Sequence, residues 1–77
     1  AIAPGVFLTE QNRALVTNPD GTYTERGEKF IRNTPFSRLG SPSELEGALV
    51  FLLSDAASFI NGEILYVDGG FSAWSGV

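Results

Sequence analysis

In a chain of 77 residues that holds no His and no Cys, chemistry has to be sought among backbone groups, hydroxyls, amides and a few charges. The missing imidazole and thiol remove the usual general base, the Cys nucleophile, thiolate or imidazole metal sites and any disulfide framework. The groups best suited to meet a ligand come early. Pro4-Gly5 joins a residue with no amide donor to one that accepts backbone angles bulkier residues avoid. Val6, Phe7 and Leu8 then lead to Thr9, a small hydrogen-bonding side chain that can also cap a helix. Taken alone, this stretch reads as a Pro-Gly turn followed by an ordinary N-cap. Gln11, Asn12 and Arg13 follow. Arg13 can clamp a carboxylate through two parallel hydrogen bonds while Gln11 or Asn12 meets hydroxyls, or it can be a solvated residue or a partner for Glu10.

These groups need elements to position them. Ala1 to Leu8 is expected to be a strand end turning into a loop, because no strand runs through Pro4-Gly5. Thr9 is expected to cap a short helix over residues 10–16, with Glu10 near its positive end, and Asn18-Pro19-Asp20-Gly21 forms a turn. Thr22-x-x-Glu25 has capping-box spacing for a second helix, Tyr23 to Asn33, despite Gly27 inside it. Pro35 ends that helix, and Phe36 to Gly40 is a loop.

Ser41-Pro42-Ser43-Glu44 specifies the clearest helix start: an N-cap Ser, Pro at the first helical position and Glu at the third. Leu45, Ala48, Leu49 and Leu52 form a stripe on this helix, which runs to Ser54. Val50, Phe51 and Leu53 widen the stripe, so its second half should be covered on more than one side. Asn61-Gly62 turns the chain into a strand over Glu63 to Asp68, stopped by Gly69-Gly70. That dipeptide, between Ser58-Phe59-Ile60 and Ile64-Leu65-Tyr66, also meets the local signal for a hairpin. A helix followed by a single apolar strand favours instead a parallel sheet whose other strands lie elsewhere.

Composition narrows the partners. Five Lys+Arg against nine Asp+Glu give a net charge of −4, which disfavours nucleic acid. The longest apolar run, Ala48 to Leu53, is far short of the roughly 20 residues that span a bilayer. Absence of Cys fits a reducing cytoplasm. A chain this short has marginal stability on its own, so it is expected to be one portion of a larger α/β protein.

Three stretches, in order, carry a family resemblance: Ile2-Ala3-Pro4-Gly5-Val6-Phe7-Leu8-Thr9, then Thr34-Pro35-Phe36-Ser37-Arg38-Leu39-Gly40-Ser41-Pro42-Ser43-Glu44-Leu45, then Ser54 to Gly62 running into Tyr66-Val67-Asp68-Gly69-Gly70-Phe71. Together they resemble the C-terminal part of the short-chain dehydrogenases/reductases. The resemblance implies an α/β chain that is the C-terminal portion of a doubly wound Rossmann-type fold. It comprises the Pro-Gly cofactor loop (1–9), a helical substrate lid (10–40), and an interface helix with the last parallel strand and tail (41–77). It implies that Pro4, Gly5, Val6, Phe7 and Thr9 face the nicotinamide of NAD or NADP. Backbone groups around Val6 and Phe7 then bond the carboxamide, and the Thr9 hydroxyl turns toward the cofactor.

The family's catalytic Tyr-x-x-x-Lys pair and its Gly-x-x-x-Gly-x-Gly phosphate loop have no counterpart here: four residues after Tyr23 is Gly27, and four after Tyr66 is Gly70. No catalytic residue is therefore assigned, and the chain alone is expected to catalyse nothing. Thr9-Glu10-Gln11-Asn12-Arg13 is most similar to the members acting on sugar acids, of the D-mannonate (fructuronate) oxidoreductase type, which implies substrate contacts for Gln11, Asn12 and Arg13. Arg38 and Asp68 carry over as structural residues. The helix from Pro42, the last strand, Phe71 and Trp74 are expected at a subunit interface of a cytoplasmic homotetramer, beside the remainder of the chain's own Rossmann domain. Another carbonyl/alcohol substrate, or a free-standing interaction module built on the apolar helix, are the other readings. The choice between NAD and NADP rests on a residue upstream of this chain.

Overall fold

The computed structural model describes residues 1–74; the end of the expected tail, residues 75–77, lies outside the described part. Strand β1 (Ile2–Pro4) pairs in parallel with strand β2 (Leu65–Val67), with Ile2 opposite Leu65 and Pro4 opposite Val67. The Gly5 N–H adds a rung to the Val67 carbonyl at 3.0 Å. Beyond it the chain leaves the sheet. Asn61-Gly62 does not make a hairpin. Residues 58–60 belong to the turn that closes a short 3-10 helix (Asp55–Ala57), where the Ser58 and Ile60 N–H groups bond Asp55 and Ala57 carbonyls. No extended run is left there to pair with β2, and β1 takes its place.

Between the strands lie helix α1 (Arg13–Val16), helix α2 (Glu25–Arg32), a 3-10 turn (Pro42–Leu45) and helix α3 (Glu46–Leu53). Two helix starts differ from expectation. Helix α1 begins later, with Asn12 rather than Thr9 at the cap position and no side-chain cap bond; the Asn12 Oδ1 instead accepts the Thr9 N–H at 2.8 Å, and Thr9 supplies only its carbonyl, to the Arg13 N–H. In α2 the capping residue is Thr24, whose Oγ1 accepts the Gly27 N–H at 3.2 Å. The Thr22-Glu25 capping box does not form because the turn has already taken Thr22. Its N–H and Oγ1 donate to Asp20 Oδ1 at 3.0 and 2.6 Å, and its carbonyl accepts the Asn18 N–H. At the third start the expected Glu44 contact is made: its Oε1 accepts the Ser41 N–H at 2.9 Å.

Gly27, a weak helix former, has a packing reason. The Thr24 N–H and Oγ1 bond the Val16 and Leu15 carbonyls, bringing α2 so close to α1 that a Cβ on Gly27 would run into the Val16 carbonyl. Val16 is sealed beneath this contact at 1% exposure. Elsewhere the chain is a thin slab. Its radius of gyration is 14.6 Å, against about 11.5 Å expected for a compact domain of this length, and its shortest extent is 15 Å. Gly27, Thr34, Leu39 and Ala57 are the other buried residues among those described. Helix α3 is apolar around its circumference but is not covered on more than one side by the described residues: Val50 and Leu53 are 66% and 79% exposed, and Phe59 beyond it is fully exposed. Among the described residues no helix is long and apolar enough to cross a membrane.

Candidate functional site

The segment that leaves β1 is held by a second, isolated parallel bridge between Phe7 and Gly40. The Gly40 N–H donates to the Val6 carbonyl at 3.0 Å and the Leu8 N–H to the Gly40 carbonyl at 2.9 Å. In a parallel bridge of this kind the N–H and C=O of the middle residue, Phe7, point to the opposite side. The Phe7 carbonyl accepts the Asn12 Nδ2 at 2.7 Å. Since Asn12 Oδ1 already holds the Thr9 N–H, one amide side chain staples residues 7 to 9 into a fixed curve. Among the described residues the Phe7 N–H has no hydrogen-bond partner, so this curve presents an unused backbone donor, the kind of group that ordinarily finds one.

Gly5 allows a close approach, and the neighbour in question is β2. A Cβ there would lie 2.7 Å from both Cα and Cβ of Asp68. That carboxylate is in turn fully engaged: Oδ1 accepts the Gly70 N–H at 2.9 Å, and Oδ2 accepts the Ser72 N–H and hydroxyl at 2.9 and 2.5 Å. The Ser72 hydroxyl, first among these donors, holds the Asp68 carboxyl below its ordinary pKa. Asp68 thus ties the exit of β2 to the turn that follows.

A cavity of about 130 Å³ opens beside the bridge, lined by Val6, Phe7, Thr34, Phe36, Arg38 and Glu44 among others. Its charged wall is an ion pair. Arg38 Nη1 and Nη2 donate to the two Glu44 oxygens at 2.6 and 2.8 Å. The Arg38 hydrogen bond, followed by the Ser41 N–H, lowers the Glu44 pKa to about 2, and Glu44 raises that of Arg38. Sequence reasoning attached no partner to Arg38; the available signal was an opposite charge six residues on, across the Leu39-Gly40-Ser41 loop. Buried Thr34 was likewise missed, and its hydroxyl caps the Phe30 carbonyl at 2.8 Å.

Of the residues singled out from the sequence, Val6, Phe7, Thr9 and Asn12 come together around this curve. Asn12 spends both ends of its amide on the backbone. Gln11 and Arg13 are exposed at the start of α1, and Arg13 reaches Glu10 at 3.4 Å. Pro4 lies apart, on an open apolar groove with Pro42, Leu45 and Leu49. Such a site can recognise a flat polar group through a backbone donor and an apolar wall. It holds no poised acid–base pair, and among the described residues no group of three His, Cys, Asp or Glu could hold a metal ion.

A family model described as enoyl-(acyl carrier protein) reductase matches residues 1–72. The chain belongs to the short-chain dehydrogenase/reductase family. It is 51% identical over 78 residues to the uncharacterized oxidoreductase UxuB of Bacillus subtilis (strain 168), matching 100% of this chain and 28% of that protein. It resembles a structure from Haemophilus influenza, provisionally named a D-mannonate oxidoreductase and holding NAD, at 50% identity and a TM-score of 0.87, over 100% of this chain and 28% of that one. It also resembles a gluconate 5-dehydrogenase from Burkholderia cenocepacia J2315 in complex with NADP and tartrate, at 42% identity and a TM-score of 0.79, over 95% of this chain and 27% of that one. The parallel β1–β2 pair and the helices between its strands are therefore a portion of the family's Rossmann-type α/β fold. This chain spans little more than a quarter of the length of these short-chain dehydrogenase/reductase relatives.

Proposed function

We propose that this chain forms the nicotinamide-facing rim and the substrate lid of an NAD- or NADP-dependent oxidoreductase that interconverts a carbonyl and an alcohol on a sugar acid of the D-mannonate/D-fructuronate type. The carrying observation is the Phe7 N–H, left without a partner among the described residues on a backbone curve fixed from both sides. A nicotinamide carboxamide is a planar group with an acceptor oxygen for this donor, and the nicotinamide, when bound, would give hydride to the carbonyl in its reduced form and take it from the alcohol in its oxidised form. The rim's own work is to bind and orient: the Phe7 N–H takes the carboxamide oxygen, Thr9 offers a hydroxyl beside it, and Pro4, Gly5 and Val6 set the approach of the backbone. Proton transfer and pyrophosphate binding fall to residues outside this chain, since it has neither a Tyr-x-x-x-Lys pair nor a phosphate loop.

The named neighbours bound to NAD, and to NADP with tartrate, support a nicotinamide cofactor and an acidic, hydroxylated substrate. Residues 10–40 form the lid in this reading. Arg13, whose side chain makes one long and exposed contact, to Glu10, among the described residues, can exchange it for a substrate carboxylate, with Gln11 next to it. The uncovered α3 and β2 flank supports packing against the remainder of the same domain and against other subunits of a cytoplasmic homotetramer.

The test is fluorescence titration of the full-length protein with NADH and NADPH, followed by turnover of D-fructuronate. Binding of one cofactor, weakened about tenfold or less by Thr9→Val as expected for one lost hydrogen bond, together with turnover, is the expected result. Failure of both cofactors to bind overturns the reading.

A further inference from the structure

The two halves of the Phe7–Gly40 bridge are not equally supported. Residues 5–9 are anchored by β1 at one end and by the Asn12 amide at the other, whereas the Val6–Phe7 peptide between them, which carries the Phe7 N–H, is held by the Gly40 N–H on the Val6 carbonyl. Gly40 sits in a loop with no regular element before it, and what closes that loop is a ring of contacts around Glu44. Arg38 meets both carboxylate oxygens, the Ser41 N–H donates to Oε1, and Arg38 Nη1 also reaches the Leu39 carbonyl at 3.3 Å. Arg38, Leu39, Gly40 and Ser41 are thereby pinned to the start of the 3-10 turn. Gly40 projects from the ring onto the Phe7 segment, so close that a Cβ would meet the phenyl ring at 2.5 Å. Arg38, Glu44, Gly40 and Phe7 line the same cavity.

We infer that the Arg38–Glu44 pair is a positioning device for the cofactor rim: it sets the height of Gly40 and, through the bridge, the direction of the Phe7 N–H. The inference rests on the proposed nicotinamide site. Neither Arg38 nor Glu44 touches the cofactor in it. Both side chains are about half exposed, and an ion pair in such a setting contributes little to global stability, so removing it loosens the loop without unfolding the protein. Loosening the loop matters more for ligand orientation, where small displacements carry large effects.

The consequence is selective. Cofactor binding through the nicotinamide half weakens, while binding through the adenosine and pyrophosphate half, which depends on residues outside this chain, does not. The experiment uses the full-length protein and its Arg38→Gln, Arg38→Lys and Glu44→Gln variants. Each is titrated with the reduced cofactor that the wild type prefers and with the matching ADP-ribose compound lacking nicotinamide, and thermal melts are recorded in parallel. The expected result is that Arg38→Gln raises the Kd for the whole cofactor by about five- to tenfold, the effect of roughly one well-oriented hydrogen bond. The ADP-ribose Kd stays within about twofold, and Arg38→Lys, which keeps the charge, recovers part of the loss. Equal weakening of both ligands, or an unchanged cofactor Kd in all three variants, overturns the positioning role while leaving the proposed function standing. A wild type that binds ADP-ribose but gains nothing from the nicotinamide overturns both.

Discussion

Gly40 lies against the ring of Phe7 with no room for a side chain: a Cβ added to Gly40 would sit 2.5 Å from Cε2 and 2.6 Å from Cδ2 of the ring. Phe7 therefore needs this glycine twice, as its bridge partner and as the floor under its side chain. Gly40→Ala should force the ring aside and destabilise the full-length protein by about 1–3 kcal/mol, the range for overpacking. Denaturant unfolding checks this, and an unchanged midpoint would mean that the ring moves freely.

Gly47 is the opposite case. It stands in the first turn of α3, exposed, with nothing within 4 Å of an added methyl group apart from its own helix. Gly47→Ala should stabilise by about 0.5–1 kcal/mol through helix propensity and reduced freedom of the unfolded chain. A loss of stability in the same melt would reveal that another part of the protein lies against this position.

The Arg38–Glu44 pair gives a signed pH dependence. Glu44 has its pKa lowered from 4.5 to about 2, first by the Arg38 hydrogen bond and then by the Ser41 N–H. A carboxylate with a depressed folded-state pKa contributes stability that is complete above its unfolded value and is lost as pH falls through the folded one. The stability difference between wild type and Glu44→Gln should thus be constant above about pH 5 and shrink between pH 4.5 and about 2. Chemical denaturation at stepped pH measures it, and a difference that grows on acidification would contradict the assignment.

Arg13 offers a test of substrate class. If its guanidinium leaves Glu10 for a substrate carboxylate, Arg13→Gln should lower kcat/KM on D-fructuronate by about 10- to 100-fold, the loss of a bidentate charged contact, and leave a neutral sugar nearly unaffected. Equal losses on both substrates, or none, would return Arg13 to the role of a surface partner of Glu10.

How far the fold could be read in advance depended on whether the deciding contact was local. The Ser41–Glu44 contact was legible because both partners lie within one turn, and Pro4-Gly5 marked the end of β1, of which Pro4 is the last residue and Gly5 the last rung. Spacing pointed to Thr22, which has Glu25 three residues on, but Asp20 claims Thr22 for the turn and leaves the cap to Thr24. Asn12 stands at the cap position without a side-chain cap bond, because its amide is spent on the Thr9 N–H and the Phe7 carbonyl. In the site, residues 2–9 were visible as a family motif, whereas the bridge from Phe7 to Gly40 and the grip of Arg38 on Glu44 cross loops, and no periodicity records such contacts. The reason for Gly27 lay in another helix.

The pairing of Ile2–Pro4 with Leu65–Val67 sets an order of events during synthesis. The two partners are separated by about 60 residues, so at roughly 5–20 residues per second β1 leaves the ribosome about 3–12 s before β2 exists to meet it. Through that interval this edge of β1 stays unpaired, and the Gly5 exit has neither the Val67 carbonyl nor Asp68 to rest on. The segment around Phe7 is thus among the first parts of this stretch to be translated and among the last that can be set in place, which makes the nascent chain's need for protection greatest at the proposed cofactor rim.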